Sequence, residues 1–145
     1  MLHTLWVVVI SLGLISLGAP VLAQDAPAEF TLDLNGAAET DGGACRLTYV
    51  VVNSSEIDLS RAAYEVAIFD VQGVVQRLIA LDFGALSAGR TKVLQFDLPQ
   101  MSCGMISRII INDGIACEPV GGAEDISLCM DALTATSRTA IQFGL

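Results

Sequence analysis

Short apolar runs with the periodicity of β-strands, separated by turn residues, recur along this chain. Phe30–Leu34 alternates apolar and polar residues and stops at Asn35-Gly36, a dipeptide typical of turns. Only Ser127–Leu133 indicates a helix, with Asp125 or Ser127 as its N-cap. Further strands are predicted over residues 45–53, 64–69, 74–81, 91–96, 106–111 and 136–143. The pattern predicts an all-β fold: an Ig-like β-sandwich of about seven strands with one short helix near the C-terminus.

Residues 1–23 have the features of a secretory signal peptide. The uncharged apolar run Leu5–Gly18 is followed by Val21-Leu22-Ala23, a small-residue ending suited to cleavage before Gln24. The alternative is an uncleaved anchor, because the uncharged stretch Leu5–Ala23 is just long enough to span a bilayer. We therefore expect an exported protein, periplasmic or secreted, whose residues 24–145 form a single Ig-like domain.

Export removes the groups that most often perform catalysis. The only histidine, His3, and the only tryptophan, Trp6, lie in the signal peptide. A Ser–His–Asp triad is then impossible, and a Ser–Lys dyad would depend on the single lysine, Lys92. No Gly-rich phosphate loop, paired catalytic carboxylates or EF-hand pattern stands out. The sequence therefore predicts a protein that is not an enzyme and that needs no cofactor.

The charge of the chain argues against two classes of partner. The formal net charge is −9, and all the charged side chains lie in the exported part. The seven basic residues are scattered except for Arg90 and Lys92, so no cationic cluster offsets the acidic surface. Such a surface repels nucleic acid and anionic lipid headgroups. We expect no nucleic-acid partner and, after signal cleavage, no membrane association.

Four cysteines remain in the exported part, at positions 45, 103, 117 and 129. An even number in an exported domain is typical of a disulfide framework, here with three possible connectivities. The C-x-x-C motif of thioredoxin-like redox proteins is absent, as are the close pairs and histidines of structural zinc sites. We predict structural disulfides formed by Cys45, Cys103, Cys117 and Cys129.

The third to fifth predicted strands carry a family resemblance. Residues 66–75 (VAIFDVQGVV) and 86–91 (LSAGRT) resemble the FxLYD-type bacterial Ig-like domains. In those domains a strand ends in an aromatic residue and Asp, and the turn that follows contains a Gly. More broadly, the chain is similar to small exported proteobacterial proteins of uncharacterised function, which carry segments like GGACR at 42–46 and the strand at 106–113, and a late cysteine. The resemblance implies a fold and a compartment, and no catalytic residue or ligand. The four cysteines depart from the FxLYD pattern.

The expected sandwich topology favours one disulfide pairing. In Ig-like sandwiches the second and sixth strands run in roughly the same direction in facing sheets. Cys45 opens the second predicted strand and Cys103 precedes the sixth, so they should lie at one end and pair, leaving Cys117 to pair with Cys129. The pairing Cys45–Cys117 with Cys103–Cys129 remains the alternative.

We expect a non-catalytic, disulfide-stabilised module that binds an envelope protein, partner unidentified, through end loops or an edge strand. The favoured surface combines the loops Glu118–Asp125 and Glu39–Gly43; the oligomeric state stays open. The alternative is a periplasmic redox or Cu(I)-handling protein that uses Cys103 with Met101 and Met105, because thioether and thiolate ligands select Cu(I).

The intact mass of the exported protein tests these expectations together. We expect a chain that begins at Gln24 with its four cysteines oxidised, and an alkylation-induced mass increase only after reduction. A free or mixed-state Cys103, or mass retained from copper under native conditions, would instead favour the redox or copper alternative.

Overall fold

The computed structural model describes residues 29–145, so the predicted signal peptide and the cleavage site at Gln24 lie outside the described residues. Apart from one turn of 3₁₀-helix at Cys103–Met105, the regular elements are eight strands and one helix. They are β1 (Phe30–Glu39), β2 (Cys45–Asn53), β3 (Leu59–Asp70), β4 (Val75–Leu86), β5 (Arg90–Leu98), β6 (Ile106–Pro119), α1 (Ile126–Met130), β7 (Leu133–Ser137) and β8 (Gln142–Gly144).

The strands form two four-stranded sheets, which confirms the all-β sandwich. The strand order is β5-β2-β1-β7 in one sheet and β4-β3-β6-β8 in the other. Within β2, Cys45, Leu47, Tyr49 and Val51 are buried and alternate with more exposed residues, so one face of the strand points into the core. The apolar run Val50–Val52 on both faces of this strand agrees with its inner position between β5 and β1.

Edge-to-face aromatic contacts hold the two sheets together. Tyr49 on β2 lies with its ring centroid 5.8 Å from that of Phe83 on β4 and 5.3 Å from that of Phe143 on β8. Phe96 on β5 is 5.5 Å from Phe83, and Tyr64 on β3 is 6.0 Å from it. Such pairs add roughly 0.5–1.5 kcal/mol each beyond their buried area. The core therefore draws together five strands, two from one sheet and three from the other.

Three predicted boundaries are wrong, each because pairing continues past a turn signal. Asn35-Gly36 does not end β1; the strand continues to Glu39 with a register shift between Leu34 and Gly36. Asn112-Asp113-Gly114 does not end β6, because irregular pairing with β3 absorbs these residues. The predicted last strand, 136–143, is instead two strands in different sheets, β7 beside β1 and β8 beside β6.

The predicted short helix is present and slightly shifted. α1 begins after Asp125, whose side chain accepts a hydrogen bond from the Leu128 backbone N–H at 3.3 Å. Asp125 is thus the N-cap, one of the two candidates from the sequence. The helix packs on β6, where a Cβ atom at Gly114 would come within 2.7 Å of the Ile126 side chain. Glycine at this position therefore permits the close approach of α1.

Both disulfides are present in the described structure. Cys45 pairs with Cys103 with their Cα atoms 4.8 Å apart, and this bridge joins the start of β2 to the turn before β6 in the other sheet. Cys117 pairs with Cys129 at a Cα separation of 5.9 Å and ties α1 to β6. This is the pairing that the sandwich topology favoured. Each bridge limits the unfolded chain by an amount that grows with the logarithm of the length of the loop that it closes.

Removal of the two bridges should therefore have unequal effects on stability. The bridges span 58 and 12 residues. Loop entropy predicts a loss of about 4 kcal/mol in the free energy of unfolding for the double variant Cys45→Ala/Cys103→Ala, and about 3 kcal/mol for Cys117→Ala/Cys129→Ala. Urea unfolding of both variants beside the wild type measures the difference, and the reverse order would contradict it.

Candidate functional site

The two loops expected to form one binding surface lie at opposite ends of the sandwich. Glu39 pairs with Cys45 at one end of β1, whereas Phe30 pairs with Asn53 at the other end, roughly 30 Å away along the strand. Pro119 pairs with Leu59, and Leu59 also pairs with Leu86. The Asn53 side chain donates to the Leu86 carbonyl at 2.9 Å, so these residues belong to the Phe30 end. The predicted combined surface of Glu118–Asp125 and Glu39–Gly43 is therefore wrong.

The predicted redox or copper cluster is only partly assembled. Cys103 is bonded to Cys45, so its sulfur is not available as a thiolate ligand. Met101 is buried and Met105 is largely exposed, yet both line one small pocket. Among residues 29–145, no group of three or more His, Cys, Asp or Glu side chains could hold a metal ion. Two thioethers remain of the predicted ligand set.

The first half of β4 forms an uncovered apolar strand edge, which we call the open edge (Val75–Ala80). β4 is the outer strand of its sheet and pairs only with β3, so its other side presents unpaired backbone groups. Val75 is 48% exposed and Leu78 is 57% exposed. Arg77 is the only charged residue among these six. Long, apolar and nearly uncharged edges are the kind that accept an added strand.

The second half of β4 is protected by the single lysine of the chain. The Lys92 ammonium on β5 donates to the backbone carbonyls of Phe83 at 2.7 Å and Ala85 at 3.2 Å. Gly84, between them, has φ +63°, a conformation that favours glycine, and a Cβ atom there would lie 3.5 Å from the ammonium. Lys92 therefore caps carbonyls that an incoming strand would otherwise reach.

A hydrogen-bonded turn holds the start of the open edge in place. The Asp70 carboxylate accepts from the backbone N–H groups of Gln72 and Val74, both at 2.9 Å. Its second oxygen accepts from the Gln76 side-chain amide at 2.6 Å. Gly73 supplies the positive φ of +79° that the turn requires. The open edge is thus preorganised rather than frayed.

Beside the open edge lies a small pocket between the two sheets, which we call the methionine pocket. Its volume is about 130 Å³, and the residues that line it include Phe69, Gln76, Arg77, Gln100, Met101 and Met105. Gln100 has φ +59°, an unusual value for a non-glycine residue, and follows Pro99 in the turn after β5. Arg77 forms no ion pair with any residue that the structure describes.

Of the other basic side chains, all but Arg90 have a local partner among the described residues. Arg46 pairs with Asp97 at 2.7 Å, Arg61 with Asp82 at 3.0 Å, and Arg138 with Asp33 at 3.0 Å. The Gly84 backbone N–H and the Arg61 guanidinium hold the pKa of Asp82 below its usual range. Arg108 lies 4.0 Å above the ring of Phe69. Arg77 and Arg90 both line a pocket and form no ion pair with a described residue, but only the pocket that Arg77 lines adjoins the open edge.

Buried hydroxyl groups offer little reactivity. Burial raises the pKa of the Tyr49 and Tyr64 phenols above the usual value, so both stay protonated. The Tyr64 hydroxyl donates to the Cys129 carbonyl at 3.2 Å, and the Tyr49 hydroxyl has no hydrogen-bond partner among the described residues. Both belong to the core between the sheets rather than to a cleft.

The sequence shows the apolar character of the open edge, although it does not indicate that the strand lies at an edge. Val74, Val75, Leu78, Ile79 and Leu81 place apolar residues on both faces of the predicted fourth strand. This pattern ordinarily indicates a strand with neighbours on both sides. The structure instead leaves β4 at the edge of its sheet, so part of its apolar surface is uncovered.

Comparison with known proteins returns no family model, no curated protein and no solved structure that matches this chain. The resemblance to FxLYD-type domains therefore stays an expectation from the sequence. Within residues 29–145, no helix is long and apolar enough to cross a membrane.

The protective role assigned to Lys92 is testable. We expect Lys92→Met to uncover the carbonyls of Phe83 and Ala85 and so to increase self-association through β4, while lowering the free energy of unfolding by about 1 kcal/mol. Analytical ultracentrifugation across a concentration series measures the association. Arg90→Met is the matched control, since Arg90 is exposed on the same strand and makes no ion pair with a described residue. Equal association of the two variants would contradict the role.

Proposed function

We propose that this protein is a non-catalytic, disulfide-stabilised binding module of the periplasm or the extracellular space, and that it binds an envelope protein by accepting a strand at the open edge. The observation that carries the proposal is the contrast within β4. Lys92 caps the second half of the strand, whereas Val75–Ala80 is an apolar edge without such a cap among the described residues.

The two disulfides support the compartment. Structural bridges persist in oxidising environments outside the cytoplasm. Neither bridge has the sequence pattern of an exchanging thiol pair, since the chain has no C-x-x-C, and no cysteine of the described residues is free. The predicted signal peptide agrees with export.

The chemistry of the side chains supports a non-catalytic role. The exported part has no histidine, its cysteines are bonded to each other, and its single lysine is held by backbone carbonyls. A nucleophile with a neighbouring base is the minimal arrangement for covalent catalysis. The described residues do not supply such a pair near the methionine pocket.

Site-specific photocrosslinking in the cells that make the protein tests the proposal. A photoreactive residue at Ala80, which is exposed on the open edge, should form an adduct with a partner in the envelope. We expect Leu78→Lys to reduce the adduct about tenfold or more, because strand addition would then desolvate a charge. Immunoblots of the crosslinked envelope fraction measure the yield.

Two exposed valines provide matched controls for this experiment. Val120 is 66% exposed, and Val93 is 60% exposed on the edge strand β5 of the other sheet. Val120→Lys and Val93→Lys should leave the Ala80 adduct unchanged. An adduct that survives Leu78→Lys, or that is lost equally with either control, would show that the open edge does not bind the partner.

A further inference from the structure

We propose that the open edge recognises an extended segment that carries one large apolar side chain and one carboxylate two residues away from it. The apolar side chain enters the methionine pocket and the carboxylate binds Arg77. This inference rests on the proposed function and deepens it by stating the chemistry of the partner segment.

The size of the methionine pocket indicates a side chain rather than a metabolite. Its volume of about 130 Å³ is below the roughly 300–1,000 Å³ of typical small-molecule sites. It is close to the roughly 150 Å³ of an apolar cavity that accommodates benzene. The thioethers of Met101 and Met105 adapt readily to apolar groups of different shape. One leucine, isoleucine, methionine or phenylalanine side chain therefore suits the pocket.

Arg77 supplies the polar half of the recognition. It lines the same pocket, and it pairs in register with Ile68, a fully buried residue of β3, so it lies on the inner face of its sheet. The neighbouring carboxylate, Asp70, is already occupied by two backbone N–H groups and the Gln76 amide. An arginine fork without a partner is suited to a carboxylate held by two hydrogen bonds.

The geometry of a β-strand sets the spacing of the two groups. Alternate residues of an added strand point to the same face of the sheet. Because the pocket and Arg77 share a face, the apolar residue and the acidic residue of the segment should be separated by one residue. Backbone hydrogen bonds to Val75–Ala80 would supply affinity that does not depend on sequence.

A second copy of this chain is a poorer occupant than a different protein. The open edge of a second copy has no carboxylate, and its only charge is another Arg77. Two chains of net charge −9 also repel each other at long range. The charge pattern thus favours a partner segment that brings its own acidic residue.

Selection of phage-displayed random octapeptides on the exported, oxidised protein tests the inference. We expect enriched peptides to have a large apolar residue with Asp or Glu two positions away. Parallel selections use Arg77→Gln, Leu78→Lys and the control Val120→Lys. Arg77→Gln should keep the apolar preference and lose the acidic one, Leu78→Lys should enrich nothing, and Val120→Lys should reproduce the wild-type result. Unfolding midpoints close to that of the wild type verify that the variants are folded.

Binding of the most enriched octapeptide, made synthetically, then measures the coupling between Arg77 and the acidic residue of the peptide. We expect Arg77→Gln to weaken its binding about tenfold or more, and to leave unchanged the binding of the same peptide with its acid replaced by the amide. Absence of enrichment, enrichment without an acidic residue, or equal loss for both peptides overturns the inference. Concentration-dependent self-association that Leu78→Lys abolishes also overturns it, in favour of a second copy.

The two experiments distinguish a failure of the proposed function from a failure of the proposed partner chemistry. If the Ala80 adduct depends on Leu78 but the peptides lack the expected pattern, the open edge binds a partner of other chemistry. If the adduct does not depend on Leu78, the proposed function itself fails, whatever peptides are selected.

Discussion

The position of Phe83 in the core determines the rest of this architecture. Its ring lies within 6.0 Å of those of Tyr49, Tyr64 and Phe96, which come from three other strands in both sheets. Phe83 has no register partner on β3, because Ala62 pairs with Gly84 and Ala63 with Asp82. Phe83 and Leu81, two residues before it, are both buried and anchor the second half of β4. The first half, from Val75 to Ala80, lies beyond these aromatic contacts and stays exposed.

The open edge is held rigidly although nothing in the described structure covers it. The Asp70 turn fixes one end, and the anchoring of Leu81 and Phe83 in the core fixes the other. The Cys45–Cys103 bridge holds the turn that carries Met101 and Met105 beside the strand. A preorganised edge loses little conformational entropy when a partner strand is added. The same rigidity would make β4 prone to self-association without Lys92, and the Lys92 contacts with its carbonyls oppose this association.

Local sequence signals predicted elements better than boundaries. The alternation in Phe30–Leu34 and Cys45–Asn53 identified β1 and β2, since a half-buried strand requires one apolar face. Asn35-Gly36 and Asn112–Gly114 were misleading, because pairing with neighbouring strands absorbs turn residues as bulges. The split of 136–143 into β7 and β8 depends on contacts with β1 and β6, which local periodicity does not contain.

The sequence by itself determined the all-β class, the even number of cysteines and the absence of histidine and tryptophan from residues 24–145, because these depend on periodicity and residue type. Only the tertiary structure decided which strands are edges, that Glu39–Gly43 and Glu118–Asp125 lie at opposite ends, and that Arg77 shares a pocket with Met101 and Met105. Edges and pockets are relations between segments distant along the chain. The order of strands in the two sheets establishes them, and no local pattern encodes that order.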